Sequence, residues 1–401
     1  MRRGDQLKVL LLALGAMTLQ QTFVALGRNL PSIIAPAILA EMQMDAAWIG
    51  VYVGLGSLAA LVFQLGCGSF IVRYGALRIS QAALVMLALG LAAACSGWLA
   101  LLAISAIIAG GGSAISTPAS SHLLGRYALP RYAPLIFSIK QTAVPAGLLM
   151  AGLLGPLLTG IWGWRGALLA GAAGCLVFAI LLQPMRAKFD GDRVQTRAFS
   201  LSDFGMTLGV ETRDRELRAL SMACFAFNGV QMVFIAFFVI YLTTLGYSLV
   251  TAGTVFSVAA FFAVPGRILW GWVGSVYTSP RTVLGWLALG MAGCSLLLGL
   301  TGPSWPLPLI ALIAALLSVT ALSWHGVLLA EAARLAPEGM RGSATGGVLS
   351  FGQTGALLVP LCYAALLGLT GTHAAGFLVS GLPPLLVGIV LLGRRGGRAA
   401  L

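Results

Sequence analysis

Apolar runs of about twenty residues, the length a helix needs to cross a ~30 Å hydrocarbon core, recur along this whole sequence with short polar breaks between them. No water reaches the backbone at that depth, so only α-helices and closed barrels can cross. Abundant Gly and Ala, without alternating polarity, exclude barrel strands. Composition agrees, with 59% hydrophobic and 9% charged residues, against about a quarter charged in a soluble domain. The expected fold is an all-α, multi-pass membrane protein.

The runs place twelve transmembrane helices near 8–27, 46–71, 79–98, 100–122, 135–159, 165–184, 218–242, 250–272, 282–301, 306–329, 345–369 and 376–393. The basic stretch at Met1–Lys8 opens the first retained helix, since no cleavage-like site closes the run that follows. Of the 24 Lys and Arg residues, twenty fall in segments on the side of the N-terminus. Arg28 and Arg165 fall in loops on the other side, and only Lys140 and Arg267 fall within spans. By the positive-inside rule both termini are then cytoplasmic, as in a bacterial inner membrane. The longest polar segment, 185–217, divides the chain into an N-terminal half, 1–184, and a C-terminal half, 218–401. Within it, Ser200 to Glu216 reads as a short amphipathic surface helix.

The net charge of +13 is accounted for by those loops, so no nucleic-acid partner is expected. The six cysteines lie singly, without metal or disulfide spacing, and no cofactor is implied. No nucleophile, base and orienting group occur together at useful spacing, which argues against an enzyme.

The halves repeat each other. Ser138-Ile-Lys-Gln-Thr142 in the fifth span aligns with Ser350-Phe-Gly-Gln-Thr354 in the eleventh, and Gly68 to Arg78 aligns with Gly271 to Arg281. Duplicated halves with a site between them are the plan of an alternating-access carrier.

These segments carry a resemblance to the major facilitator superfamily that covers essentially the whole chain. In the loop after span two, Gly68, Arg73, Gly75 and Arg78 match the superfamily's gating signature, but Val72 stands where its Asp belongs. The second copy keeps Gly271 and Arg281 and has Ser275 in place of that Asp. The resemblance implies the two pseudo-symmetric six-helix halves of the major facilitator fold, a small-molecule substrate, a monomer in the lipid bilayer, and a latch weakened by both losses. Ala106 replaces the basic residue usual four positions before the glycine run of drug/proton antiporters, and Gly155-Pro156 only partly matches their glycine-proline motif. By position, Arg267 is similar to the substrate-binding arginine of monocarboxylate and oxalate/formate-type carriers. Trp164-Arg165 resembles an outer-loop motif and reads as an interfacial anchor.

None of the eleven acidic residues lies in the middle of a predicted span. The two intramembrane charges, Lys140 and Arg267, are both positive, come from different halves, and would repel without an anion between them. A carboxylate meets that need, with a planar fork from Arg267 and a point charge from Lys140. The competing reading is an Arg267 bound to helix carbonyls that never meets substrate. Gln141, Gln353, Asn228 and Gln21 are further candidates to line a polar cavity, against a purely interhelical role. His325, with an ordinary pKa near neutrality, and Glu331 are candidates for proton coupling. The expected function is proton-coupled symport of a small organic anion. The alternatives are a proton-antiporting drug or metabolite exporter, or a non-transporting nutrient receptor.

Overall fold

The computed structural model describes residues 3–127, 133–196, 214–336 and 341–393, and among these every regular element is helical. The N-terminal helices are α1 (Arg3–Ile33), α2 (Ala35–Met42), α3 (Trp48–Tyr74), α4 (Ala76–Ala94), α5 (Leu99–Tyr127), α6 (Ala133–Gln141), α7 (Ala143–Leu181) and the short α8 (Arg186–Phe189). The C-terminal helices are α9 (Arg215–Thr244), α10 (Leu249–Val276), α11 (Pro280–Leu300), α12 (Leu307–Ala321), α13 (His325–Leu335), α14 (Arg341–Thr370), α15 (His373–Ser380) and α16 (Leu382–Gly393). The proposed amphipathic helix at Ser200 to Glu216 lies largely outside the described residues.

Local chemistry sets the boundaries. Ser248 and Ser279 cap α10 and α11 by accepting from the Thr251 and Thr282 N–H groups at 3.1 and 3.2 Å, and Pro280 follows at the first helical position, where its missing N–H is harmless. Asp214 caps α9 through the N–H groups of Glu216 and Leu217. Within α7 the chain turns at Gly163, whose φ of 71° interrupts the helix, so this one element supplies the fifth and sixth crossings. The tenth and twelfth crossings are each two helices, α12 with α13 and α15 with α16, where one helix apiece was expected.

At the end away from the segment after α8, the halves touch through small residues. A Cβ on Gly253 of α10 would stand 2.4 Å from the Gly152 carbonyl of α7, so the two backbones approach as only glycine permits. Nearby, Ser257 donates to the Leu149 carbonyl at 3.0 Å. Helix α9 is buried along nearly its whole apolar length, and packs its Phe227 edge-on against Trp324.

Two expectations are corrected here. The first helix does not stop before Arg28, because the apolar residues Leu30 and Ile33 carry α1 onward. Arg28 therefore belongs to a spanning helix rather than a loop. Trp164 is not an interfacial anchor, since it is only 4% exposed. Its indole donates to Glu41 at 2.7 Å, Arg165 pairs with the same carboxylate and stacks on the Trp164 ring, and Arg165 Nε donates to the Cys95 carbonyl. Together they tie α2 to the α4–α5 turn.

Candidate substrate site and linker contacts

Arg267 sits on α10 two residues after Pro265, and it bridges the halves. Its Nε donates to the Leu322 carbonyl at 2.7 Å and its Nη1 to the Gln141 carbonyl at 2.5 Å. Both acceptors lie where the helical ladder is interrupted, the first for a sequence reason. The usual helical donor to Gln141 would be the N–H of residue 145, which is Pro145 and has none. Leu322 lies in the break between α12 and α13, beyond the last helical residue, Ala321.

Arg267 Nη2 keeps no partner. Beside it, Lys140 in the last turn of α6 is fully buried, and its Nζ has no hydrogen-bond partner. His325 opens α13, stacks on Trp324 at 3.6 Å, and its Nδ1 is also unpartnered. Arg267 reaches the carbonyl of Gln141, the residue after Lys140, and that of Leu322, three residues before His325. Among the described residues no carboxylate joins them.

The amides are placed differently. Gln21 and Gln20 both accept from Ser116 at 2.9 Å, and Asn228 donates to the Gly352 carbonyl at 2.8 Å, each contact lying within one half. Gln353 crosses between halves, donating to the Gln64 side chain at 3.1 Å, and its own oxygen has no partner. Gln141 contributes its backbone carbonyl to Arg267. Glu331 is 6% exposed and held by both nitrogens of an Arg334 fork, at 2.6 and 2.7 Å.

Sequence reasoning missed Arg28 as a site residue. Its Nη1 donates to Ser113 at 3.1 Å, and it lines a small cavity with Asn29, Tyr52 and Gly110 of the first half and Met232 and Ile235 of α9. The apolar run continuing beyond Arg28 was the signal that it lay in a helix.

At the other end, the chain after α8 covers the loop between α3 and α4. The Val194 N–H bonds the carbonyl of Val72, the position lacking its acid, at 2.9 Å. Asp190 accepts from the N–H groups of Leu77 and Arg78 at 2.8 and 3.1 Å, at the start of α4. Burial raises its carboxyl above the ordinary value, with those two N–H groups opposing. Gly75, at φ 99°, leaves the room: a Cβ there would stand 2.3 Å from Asp190 Cγ. Arg126 pairs with Asp192 at 2.6 Å and donates to the Phe189 carbonyl. In the second copy Arg281 pairs with Glu216 and donates to the Leu391 carbonyl at 3.2 Å. Arg73 lies over the Tyr74 ring, while Gly68 and Gly271 have open space where a Cβ would go.

Among the described residues, eleven apolar helical spans, one of them doubling back at Gly163 to give twelve crossings, with polar groups joining two six-helix sets across a central seam, define the class: a helical membrane carrier. The chain belongs to the major facilitator superfamily, whose family model matches residues 17–360. It is thus a membrane transporter of that type. No curated protein matches it by sequence. Among solved structures, the nucleoside transporter NupG superposes with a TM-score of 0.79 at 12% identity, covering 96% of this chain and 100% of that one. A POT family transporter in complex with 5-aminolevulinic acid gives 0.78 at 14% identity, over 95% of each chain. A D-xylose-proton symporter gives 0.71 at 15% identity, over 94% of this chain and 96% of that one. At these identities the likeness is one of fold.

Proposed function

We propose that this transporter is a secondary carrier of a small organic anion bearing a carboxylate, moved with a proton by rocking of the halves 1–184 and 218–401 about the seam at Arg267. The observation that carries the reading is the orphaned polar group set at that seam. Lys140 Nζ, Arg267 Nη2 and His325 Nδ1 lack partners, and a buried polar group without one is costly and calls for an explanation. An anion supplies acceptors to both cations at once and removes their repulsion. Arg267 meets carbonyls as the competing reading holds, yet it retains a free donor edge.

In this reading Arg267 and Lys140 bind the carboxylate, and Gln141 and Gln353, at equivalent places in the repeat, form the polar walls. Asn228 and Gln21 hold the helices that carry them. His325 takes the proton, with Glu331 behind it on α13. A carboxylate entering with a proton crosses as a near-neutral load, which suits a site without an acid of its own. The α3–α4 and α10–α11 junctions, with Gly68, Arg73, Gly75 and Arg78 at the first and Gly271 and Arg281 at the second, gate the cytoplasmic side of a monomer in a bacterial inner membrane, with both termini cytoplasmic. Proteoliposome counterflow tests the reading. Labelled organic acids should exchange into vesicles carrying the wild type and not into those carrying Arg267→Ala. Exchange of cationic dyes instead of acids would overturn it.

A further inference from the structure

Helix α12 ends at Ala321 and α13 begins at His325. In the break between them the Trp324 and His325 rings stack, with centroids 3.6 Å apart and planes 18° apart. Side chains at consecutive positions of an unbroken helix do not face each other, so the break is what makes this pair. The indole is gripped from α9: Phe227 meets it edge-on at 5.9 Å, and Gln231 accepts from its Nε1–H at 3.1 Å. Those two residues are four apart and share one helix face. Trp324, Phe227 and Gln231 are all buried. The charges around His325 do not favour its protonation. Arg267 of α10 bonds the Leu322 carbonyl in the same break and the carbonyl of the residue after Lys140, and both are cations. On α13 itself Glu331 is held by Arg334. On the other helices packed against α13, Arg215, Glu216 and Arg218 of α9, Arg281 of α11 and Arg341 of α14 stand in the first turn.

We propose that Trp324 is the positioning residue that lets His325 hold a proton, its indole face stabilising the imidazolium where other sites would use a carboxylate, with Gln231 and Phe227 keeping that face in place. A cation within about 6 Å of an aromatic face is attracted to it, most strongly for tryptophan and away from water. The incoming proton joins a ring nitrogen of His325, whose Nδ1 has no partner, and the charge spreads over a ring already lying on the indole. The proposal rests on the reading in which His325 takes the proton, and supplies what a proton-coupled site without an acid of its own needs.

Imidazole NMR of the full-length carrier in lipid nanodiscs tests it, since the chain has only three histidines and His325→Gln assigns the signal. In the wild type His325 should titrate between about pH 5 and 8, the window of an ordinary histidine. Trp324→Leu should lower that midpoint by about 0.5–1.5 pH units. Trp324→Phe, which keeps a ring in the slot, should lower it by less, and Gln231→Leu should lower it because the indole loses its anchor. A midpoint unmoved or raised in Trp324→Leu would overturn the proposal, as would a wild-type His325 that does not titrate in that window. If the leucine variant does not fold, an unmoved midpoint in Trp324→Phe overturns it instead. The two readings fail separately. A His325 titration indifferent to Trp324 leaves His325 as the proton carrier, whereas pH-dependent counterflow that survives His325→Gln removes that role whatever the titration shows.

Discussion

Arg267 Nη1 donates to the carbonyl of Gln141 at 2.5 Å, joining α10 of one half to the α6–α7 junction of the other. The acceptor is free because Pro145 has no N–H to return to it. Pro145→Ala should supply that donor and let the helix compete for the Gln141 carbonyl. Exchange rates in counterflow should fall several-fold, with the thermal unfolding midpoint little changed. Unaltered exchange would show that this bridge is not used in the transport cycle.

Lys140 sets function against stability. A buried ammonium without a partner burdens the apo fold, because its desolvation goes uncompensated. Lys140→Met should raise the unfolding midpoint of the substrate-free protein while abolishing anion exchange. A lowered midpoint, with transport kept, would mean that Lys140 has a structural partner.

Much of this was legible in the sequence, for physical reasons. Length and hydropathy mark a spanning helix directly, and the charges of the loops survive as a count, so the crossings and the repeat stood out. The seam was half visible. Arg267 and Lys140 announced themselves as charges in apolar runs, and Pro145 frees the Gln141 carbonyl, but the break that exposes the Leu322 carbonyl and the meeting of both with Arg267 depend on tertiary packing. Arg28 was hidden because a lone arginine near a predicted helix end reads as a loop residue. Asp190 was unreadable for another reason: it is 113 positions from Leu77, and only the fold brings them together.

Asp190 performs, from another part of the chain, the helix-capping that Val72 cannot. Asp190→Ala should destabilise the protein by about 0.5–2 kcal/mol, the range for a lost N-cap. Gly75→Ala should be worse, since the new Cβ meets Asp190 and the residue sits at φ 99°. Combining the two should cost less than their sum, because the nearest clashing atoms, Asp190 Cγ and Oδ1, are gone while the Cβ at 2.6 Å and the backbone strain remain. Strict additivity in chemical or thermal unfolding would contradict the contact.

The Glu41 clamp predicts a pH dependence. Hydrogen bonds from Arg165 and then Trp164 hold its carboxyl below the ordinary 4.5. A depressed carboxyl contributes stability that is fully present above the unfolded value and is lost as pH falls through the folded one. The stability difference between wild type and Glu41→Gln should therefore be constant from neutral pH down to about 4.5, and shrink only below that. A difference that fades between pH 7 and 5 would contradict the clamp.

The most direct measure of the central claim is thermal unfolding of the purified carrier against a panel of carboxylates and a matched panel of organic amines. A bound ligand at a hundred times its Kd stabilises the folded state by about 2.7 kcal/mol. The expected result is stabilisation by at least one carboxylate and by no amine, with the effect lost in Arg267→Ala. Stabilisation by an amine, or by a carboxylate equally in wild type and Arg267→Ala, would contradict an anion site at Arg267.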